Sequence, residues 1–419
     1  MSHTLYRNAW ILRLTVLLAA GFAVGLPFAS AQAQNYSIVY TFGSGGAGPD
    51  SALLKDAHGN LYGTTATGAG GQEDGVIYKL TPGGDETVVY TFSGADGLDP
   101  FGDLIRDKEG TLYGVTLYGG ADDDGTVFKL DTKGHQTVLY SFTGRNGDGA
   151  YPEGGVVRDE AGNLYGTTID GGKVDCGNGL GCGMVFKLSA SGKVTALHRF
   201  TGGKDGGWPA GSLVRDGQGN LYGVASGGGD LKCDSGYGCG TIFKITSNGK
   251  FSVLHTFTGS NGATPQATMI RDARGNLYGT TVFGGSANFG TIFKLKPSGN
   301  LTVLHQFLGS PNDGAYPYFA PLTRDAAGNL YGVTMGGGDY GSKCEITGGS
   351  CGVAFKLDAT GKINILHFFT GLNGDGAAPG GGLVFDEAGE LYGTAYRGGN
   401  LSECPPPTYG CGVAFKLKP

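Results

Sequence analysis

The sequence predicts an all-β, seven-bladed β-propeller with four antiparallel strands per blade, its ring closed by the N-terminal strand joining the last blade. Three observations predict it. Leu-Tyr-Gly recurs seven times, starting at Leu61, Leu112, Leu164, Leu221, Leu277, Leu330 and Leu391, a period of about 55 residues, in the range of propeller units. Each copy sits among four short runs rich in β-branched and aromatic residues and bounded by glycine, which is how strands read. Glycine supplies 84 of 419 residues without falling at every third position, so the composition suits many tight turns and excludes collagen.

The elements follow in chain order. Residues 1–33 read as an export signal, with Arg7 and Arg13, an apolar run from Leu14 to Leu26, and small-residue cleavage sites after Ala31 or Ala33. That run is short for a membrane span, and the mature chain is expected to be secreted or periplasmic and not inserted in a membrane. The propeller occupies 36–419. It opens with a strand of the fourth type, Tyr36 to Phe42, and ends with one of the third type, Gly412 to Leu417. Pairing the two removes two free sheet edges.

Within a unit, the third copy shows the grammar. Gly155 to Asp159, Asn163 to Thr168, Met184 to Leu188 and Val194 to Phe200 are the four strands in order. An Asp-x-x-Gly turn joins the first two and a small turn joins the last two, both as hairpins. The crossover from the fourth strand to the next unit is longer and carries a proline each time: Pro49, Pro100, Pro152, Pro209, Pro265, Pro317 and Pro379. These units, with Asp-x-x-Gly-Asn-Leu-Tyr-Gly and Gly-x-Val-Phe-Lys-Leu blocks, resemble the bacterial "choice-of-anchor tandem repeat" or GloVer repeat proteins over residues 36 to 419. The resemblance implies export and transfers neither an activity nor catalytic residues. The sequence closes on its last repeat, so attachment through such an anchor is not expected.

Residues present in every unit read as structure. The aspartates from Asp56 to Asp386 start the first hairpin, where a carboxylate bonds the turn's own amides. The third-strand lysines, such as Lys187, read as aliphatic stems with heads at the rim. His198, His255, His305 and His367 share one fourth-strand column with Tyr40, Tyr90 and Tyr140. On separate blades they cannot share one ion, so they read as polar-tipped packing residues and no metal is expected. Cys176 with Cys182, Cys233 with Cys239, Cys344 with Cys351, and Cys404 with Cys411 read as four local disulfides of an exported protein, with zinc the alternative. Gly144 to Gly149 looks like a calcium loop but lacks its first ligand and closing glutamate.

The informative residues are those that differ between units. The crossovers and the loops between second and third strands vary in length and charge, and propeller geometry brings both to one face around the channel. Trp208, Tyr151 and Tyr316, each before a crossover proline, and the acidic run Asp122, Asp123 and Asp124 are the candidate ligand-binding residues; Asp170 and Glu403 also stand in these loops. A net charge of −6, more negative once the signal's arginines are lost, argues against nucleic acid. The expected function is non-catalytic binding or scaffolding by a monomer, with an extracellular glycan or protein as partner and no cofactor or catalytic residue. The alternatives are a polysaccharide hydrolase or lyase, which needs an acid and a base at set separation, and a protein-interaction platform.

Overall fold

The computed structural model describes residues 35–43, 45–68, 74–172, 176, 179–338, 351–402, 404 and 410–419. The proposed signal, Cys344 and Glu403 lie outside them. Seven sheets of four principal strands follow one another along the chain. Blade 2 is the plainest, with Leu98–Arg106 innermost, then Leu112–Tyr118, Thr126–Leu130 and Gln136–Ser141 at the outer edge. Blade 4 matches it with Gly207–Arg215, Leu221–Gly227, Thr241–Ile245 and Phe251–Thr256.

The innermost strand departs from expectation in the other blades. In blade 3, Gly149–Ala150 pairs with Asp170–Gly171, and the chain then leaves the sheet before Val157–Arg158 pairs with the start of Leu164–Thr168. Blades 2 and 4 keep one continuous strand but carry a register shift over the same stretch, Phe101 to Ile105 and Ala210 to Val214. The break falls after the crossover proline, which is itself still paired, at Gly102 in blade 2 and Gly211 in blade 4, whose left-handed φ of 77° and 66° turns the chain out of the ladder. The fourth strands also share a feature, a bulge at their middle against the third strand in all seven blades.

Two repeated contacts explain the repeated residues. The glycine of Leu-Tyr-Gly lies opposite the third-strand aromatic, as Gly166 does to Phe186. A Cβ on Gly166 would stand 2.6 Å from Phe186 Cζ, and one on Gly223 would stand 2.4 Å from Phe243 Cζ, so the ring needs the bare backbone. Each such ring then receives a phenylalanine from the end of the preceding blade's outer strand. Phe92 meets Phe128 at 5.1 Å between centroids, Phe142 meets Phe186 at 5.2 Å and Phe200 meets Phe243 at 5.3 Å, all edge-to-face. This is the favoured aromatic arrangement. Every blade interface has one such pair and one apolar cluster.

The aspartate column is a clasp. Asp159 Oδ1 accepts the amides of Ala161 and Asn163, while Oδ2 accepts Asn163 Nδ2 and the Tyr165 hydroxyl, at 2.7 to 3.0 Å. Burial opposes the charge, yet these donors hold the carboxyl below its usual range. The lysine heads lie over the same tyrosines, Lys187 at 5.6 Å and Lys244 at 5.3 Å from the ring centroids, so they are cation–π partners as well as solvated ends.

The histidines lie in separate blades as expected, and each caps a crossover. His198 meets Asp205 at 3.0 Å and His305 meets Asp313 at 2.9 Å. Asp148, in the calcium-like loop, is occupied in the same way by Tyr140 and Thr143. Disulfides join Cys176 to Cys182, Cys233 to Cys239 and Cys404 to Cys411, and Cys351 is also bonded.

Tyr36–Thr41 forms the outer edge of blade 7 against Val413–Leu417. Its Phe42 is buried with Leu61 and Tyr78 of blade 1, and Tyr36 stacks on His367 of blade 6 at 3.6 Å while donating to Asp375 at 2.6 Å. One strand thus joins three blades. Deleting residues 36–42 removes buried Phe42 and half-buried Tyr36, Ile38 and Tyr40 and should cost on the order of 5 kcal/mol. A thermal melt of the shortened protein should show a markedly lower midpoint; an unchanged melt would place closure elsewhere.

Candidate functional site

All seven crossovers lie on one face, because each pairs with the end of its own blade's second strand or the loop after it, as Gly46–Pro49 does with Leu61–Gly68 and Ala263 with Phe283. The residue before each proline has a positive φ: Gly48 at 69°, Asp99 at 51°, Tyr151 at 56°, Trp208 at 54°, Thr264 at 56°, Tyr316 at 56° and Ala378 at 52°. In six of the seven, all but Asp99, its amide donates back to the preceding blade; that of Tyr151 donates to Asp124 O and that of Trp208 to Cys182 O, both at 2.9 Å. The proline then fills the space beside the glycine that opens the preceding third strand, where a Cβ on Gly125 would stand 2.6 Å from Pro152 Cδ. A left-handed backbone is uncommon for a residue with a side chain, and costs about 1 kcal/mol or more.

This geometry distributes the residues singled out in the sequence. Tyr151 lies edge-on to Tyr118 at 5.4 Å, and the charge of Asp124 acts on its hydroxyl. Tyr316 sits between Phe283 and Phe289 at 5.6 and 5.4 Å. Trp208 lies beside Tyr237 at 6.3 Å and packs with the Cys176–Cys182 bridge. All three are half-buried and stand on three different crossovers. The acidic run divides by role. Asp122 pairs with Arg145 at 3.5 Å, and Asp123 Oδ1 accepts the Gly119 amide at 2.9 Å, as Asn288 Oδ1 does from Gly284 in blade 5 at 2.8 Å. The turn therefore asks for an oxygen at 123 and not for a charge. Asp124 alone turns toward Tyr151.

Sequence reasoning did not single out the acids that follow the prolines. Asp50 to Ala52, Phe101 to Asp103, Glu153, Ser212, Thr268, Phe319 and Gly380, from all seven blades, line an axial cavity of about 20 Å³, room for roughly one water. Asp103 spans it, accepting from the Ala52 amide and the Ser212 hydroxyl at 3.3 Å and the Thr268 hydroxyl at 3.5 Å. Phe101 and Phe319 meet edge-to-face at 5.3 Å beside it. The signal was present, since Asp50, Phe101, Glu153, Ala210, Gln266, Tyr318 and Gly380 form one column with no shared residue type.

Burial pushes Glu153 up to about 7, with the charge of Asp170 adding to it; burial likewise raises Asp170 to about 7, with Asp124 adding to it. Asp124 and Asp103 are raised chiefly by burial too. Glu153 Oε2 is buried with no hydrogen-bond partner, and Asp170 is 7% exposed. A site rich in such acids can take up or release protons near neutrality, accept donors from a ligand, or act as an acid. No group of three described acidic, histidine or cysteine side chains is placed to hold a metal ion.

These shifts set a pH dependence. A carboxyl raised in the folded state binds more protons there than when unfolded, so its stabilising contribution is complete below about pH 4 and is lost as pH rises through about 7. Asp170→Asn and Glu153→Gln should therefore raise the melting temperature relative to the parent at pH 8 and lose that advantage at pH 4.5. Melting curves across this range check it; the same difference at both pH values would mean that these carboxyls are not raised.

Crystal structures with the same architecture include virginiamycin B lyase from Staphylococcus aureus, 11% identical, with 92% of this chain and 98% of that one covered at a TM-score of 0.56. Another is the extracellular domain of BT3049 from B. thetaiotaomicron, 13% identical, with 92% and 41% covered at 0.54. At this identity the likeness concerns the fold alone. No curated protein matches the chain. The bonded cysteines fit an exported protein, and no helix among the described residues is long and apolar enough to cross a membrane. The model of the Gloeobacter/Verrucomicrobia repeat matches residues 25–180, 149–347 and 233–419, and with its seven repeated blades the chain belongs to that repeat family.

Proposed function

We propose that this protein is an exported, non-catalytic propeller that binds a glycan or similar extracellular polymer on its crossover face. The observation that carries this reading is the column before the crossover prolines. Glycine meets its left-handed backbone at least cost, yet only Gly48 uses it, while Tyr151, Trp208 and Tyr316 keep large rings there at φ of 54° to 56°. Side chains retained against strain are candidates for function. Half-exposed rings on several blades offer flat apolar platforms for sugar faces, and the carboxylates near Tyr151 accept hydroxyl hydrogen bonds.

A second reading, hydrolysis or lyase chemistry on the same polymer, is favoured by one observation, the acids Glu153 and Asp170 held near 7, where a general acid works well.

Incubation with a polysaccharide panel, reading retention and new reducing ends together, separates the two. Binding without cleavage is expected. Trp208 is the one tryptophan outside the proposed signal, so its emission should change saturably with a retained polymer. Trp208→Ala should weaken retention about tenfold, the scale of a buried aromatic contact. Retention unchanged by Trp208→Ala and by Asp→Asn at 122 to 124, but abolished by changes in the opposite hairpins, would refute the face.

A further inference from the structure

The loops that begin the crossovers out of blade 2 and out of blade 6 are near copies. Thr143 to Ala150 reads Thr-Gly-Arg-Asn-Gly-Asp-Gly-Ala and Thr370 to Ala377 reads Thr-Gly-Leu-Asn-Gly-Asp-Gly-Ala, with φ of 54° at both Asn146 and Asn373. In each, the aspartate Oδ2 accepts the amide and hydroxyl of the threonine, at 3.0 and 3.1 Å in one and 2.8 and 2.9 Å in the other. The two differ in what the next blade sets beside them. At the blade 6 loop, Tyr36 of blade 7 stacks on His367 with 3.6 Å between centroids and 5° between planes, and its hydroxyl donates to Asp375 Oδ1 at 2.6 Å. Phe251 of blade 4 stacks on His198 of blade 3 in the same way, at 3.6 Å and 8°.

At the blade 2 loop the corresponding ring is Tyr140, and the residue of blade 3 in the place of Tyr36 and Phe251, first in its outer strand, is Val194. Val194 is the smallest residue at that place, where the other outer strands have Tyr36, Glu86, Gln136, Phe251, Leu301 and Ile363. Two places on, Ala196 is the smallest as well, since every other copy has valine or isoleucine. Two reductions on one strand leave a cavity of about 170 Å³, open to solvent, among Tyr140, Asp148, Met184, Val194, Ala196 and Arg199. A cavity of about 150 Å³ is enough for benzene. Tyr140 is edge-on to Phe142, and no ring among the described residues is stacked on it. Asp148 Oδ2 also accepts the Tyr140 hydroxyl at 3.0 Å, while Oδ1, the counterpart of the atom that takes the Tyr36 hydroxyl, accepts no hydrogen bond from the described residues.

We propose that this slot, at the rim between blades 2 and 3, binds a small phenolic molecule, with its ring stacked on Tyr140 and its hydroxyl donating to Asp148 Oδ1. The protein's own Tyr36 shows the pose at the matching loop. The walls suit the two halves of such a ligand: Val194, Ala196 and Met184 are apolar against the ring, and a carboxylate strengthens a hydrogen bond from the hydroxyl. Arg199 Nε donates to Gly147 O at 2.8 Å and ties the loop to the strand across the slot. The site lies away from the column before the crossover prolines and does not rest on the polymer-binding reading.

Calorimetric titration of the mature chain with p-cresol, the free form of a tyrosine side chain, tests the slot. A single site with a Kd of about 1 mM or tighter is expected, the range open to a probe of this size. Toluene should bind roughly tenfold more weakly, for want of a hydrogen bond to a charged group. Val194→Tyr, which copies Tyr36, should abolish binding without lowering the melting temperature, because its ring enters the slot. Thr195→Tyr, at an exposed position of the same strand, should leave binding unchanged. The proposal is overturned if p-cresol shows no saturable binding, if toluene binds as tightly, if binding survives Val194→Tyr, or if Thr195→Tyr removes it equally. A lower melting temperature for Val194→Tyr would mean that the slot does not accept a ring, and would overturn it too. Tighter binding of methyl glucoside or of N-acetyltyrosinamide than of p-cresol would replace the phenol with a sugar or with a partner's tyrosine, and so contradict the assignment.

Discussion

Phenylalanine seated on glycine organises this molecule. In each blade the third-strand aromatic lies over the glycine of Leu-Tyr-Gly and takes the edge of a ring from the preceding blade. The contact sets the distance between adjacent sheets at the point where both are buried, and tight interiors tolerate little change there. The glycine opening the third strand, packed on the next blade's crossover proline, fixes the neighbouring chain in turn. Repeated seven times, these contacts return the chain to its start, where Phe42 closes on Tyr78 with centroids 4.9 Å apart.

Function enters where this scheme stops prescribing side chains. The crossover must be left-handed before its proline and must then leave the sheet, but neither requirement names a residue. Six of seven copies place a side chain on the strained position, and the next residue ranges from Gly380 to Glu153. Acids collect there on the side of blades 2 and 3, and aromatic rings run from Phe101 through Phe319 and Tyr318 to Phe283 and Tyr316.

Blade number and closure were legible from the count of repeats and the strand types at the two ends, and strand order and the cysteine pairs at 176/182, 233/239 and 404/411 from spacing within one unit. The role of Asp159 was legible for the same reason, since its partners lie within six residues. What the sequence hid lies between units. The pairing of Phe200 with Phe243 and of Gly125 with Pro152 joins different blades, and nothing in one repeat signals it. Asp123 was read with its neighbours as one acidic feature, although its oxygen serves the turn as Asn288 does. Glu153 and Asp103 follow their crossover prolines by one and three residues, and their burial at the axis comes from contact with other blades, which no single repeat signals.

The organising contact can be tested at Gly223. A methyl added there would stand 2.4 Å from Phe243 Cζ and 2.9 Å from Leu213 Cδ2, both in a buried interface. Gly223→Ala should lower stability by roughly 2 to 3 kcal/mol, the scale of overpacking a core, and amide exchange should quicken in the crossover 206–212, carried on the same blade. A variant that melts and exchanges like the parent would contradict the account, because the ring contact would then not be what holds the blades in register.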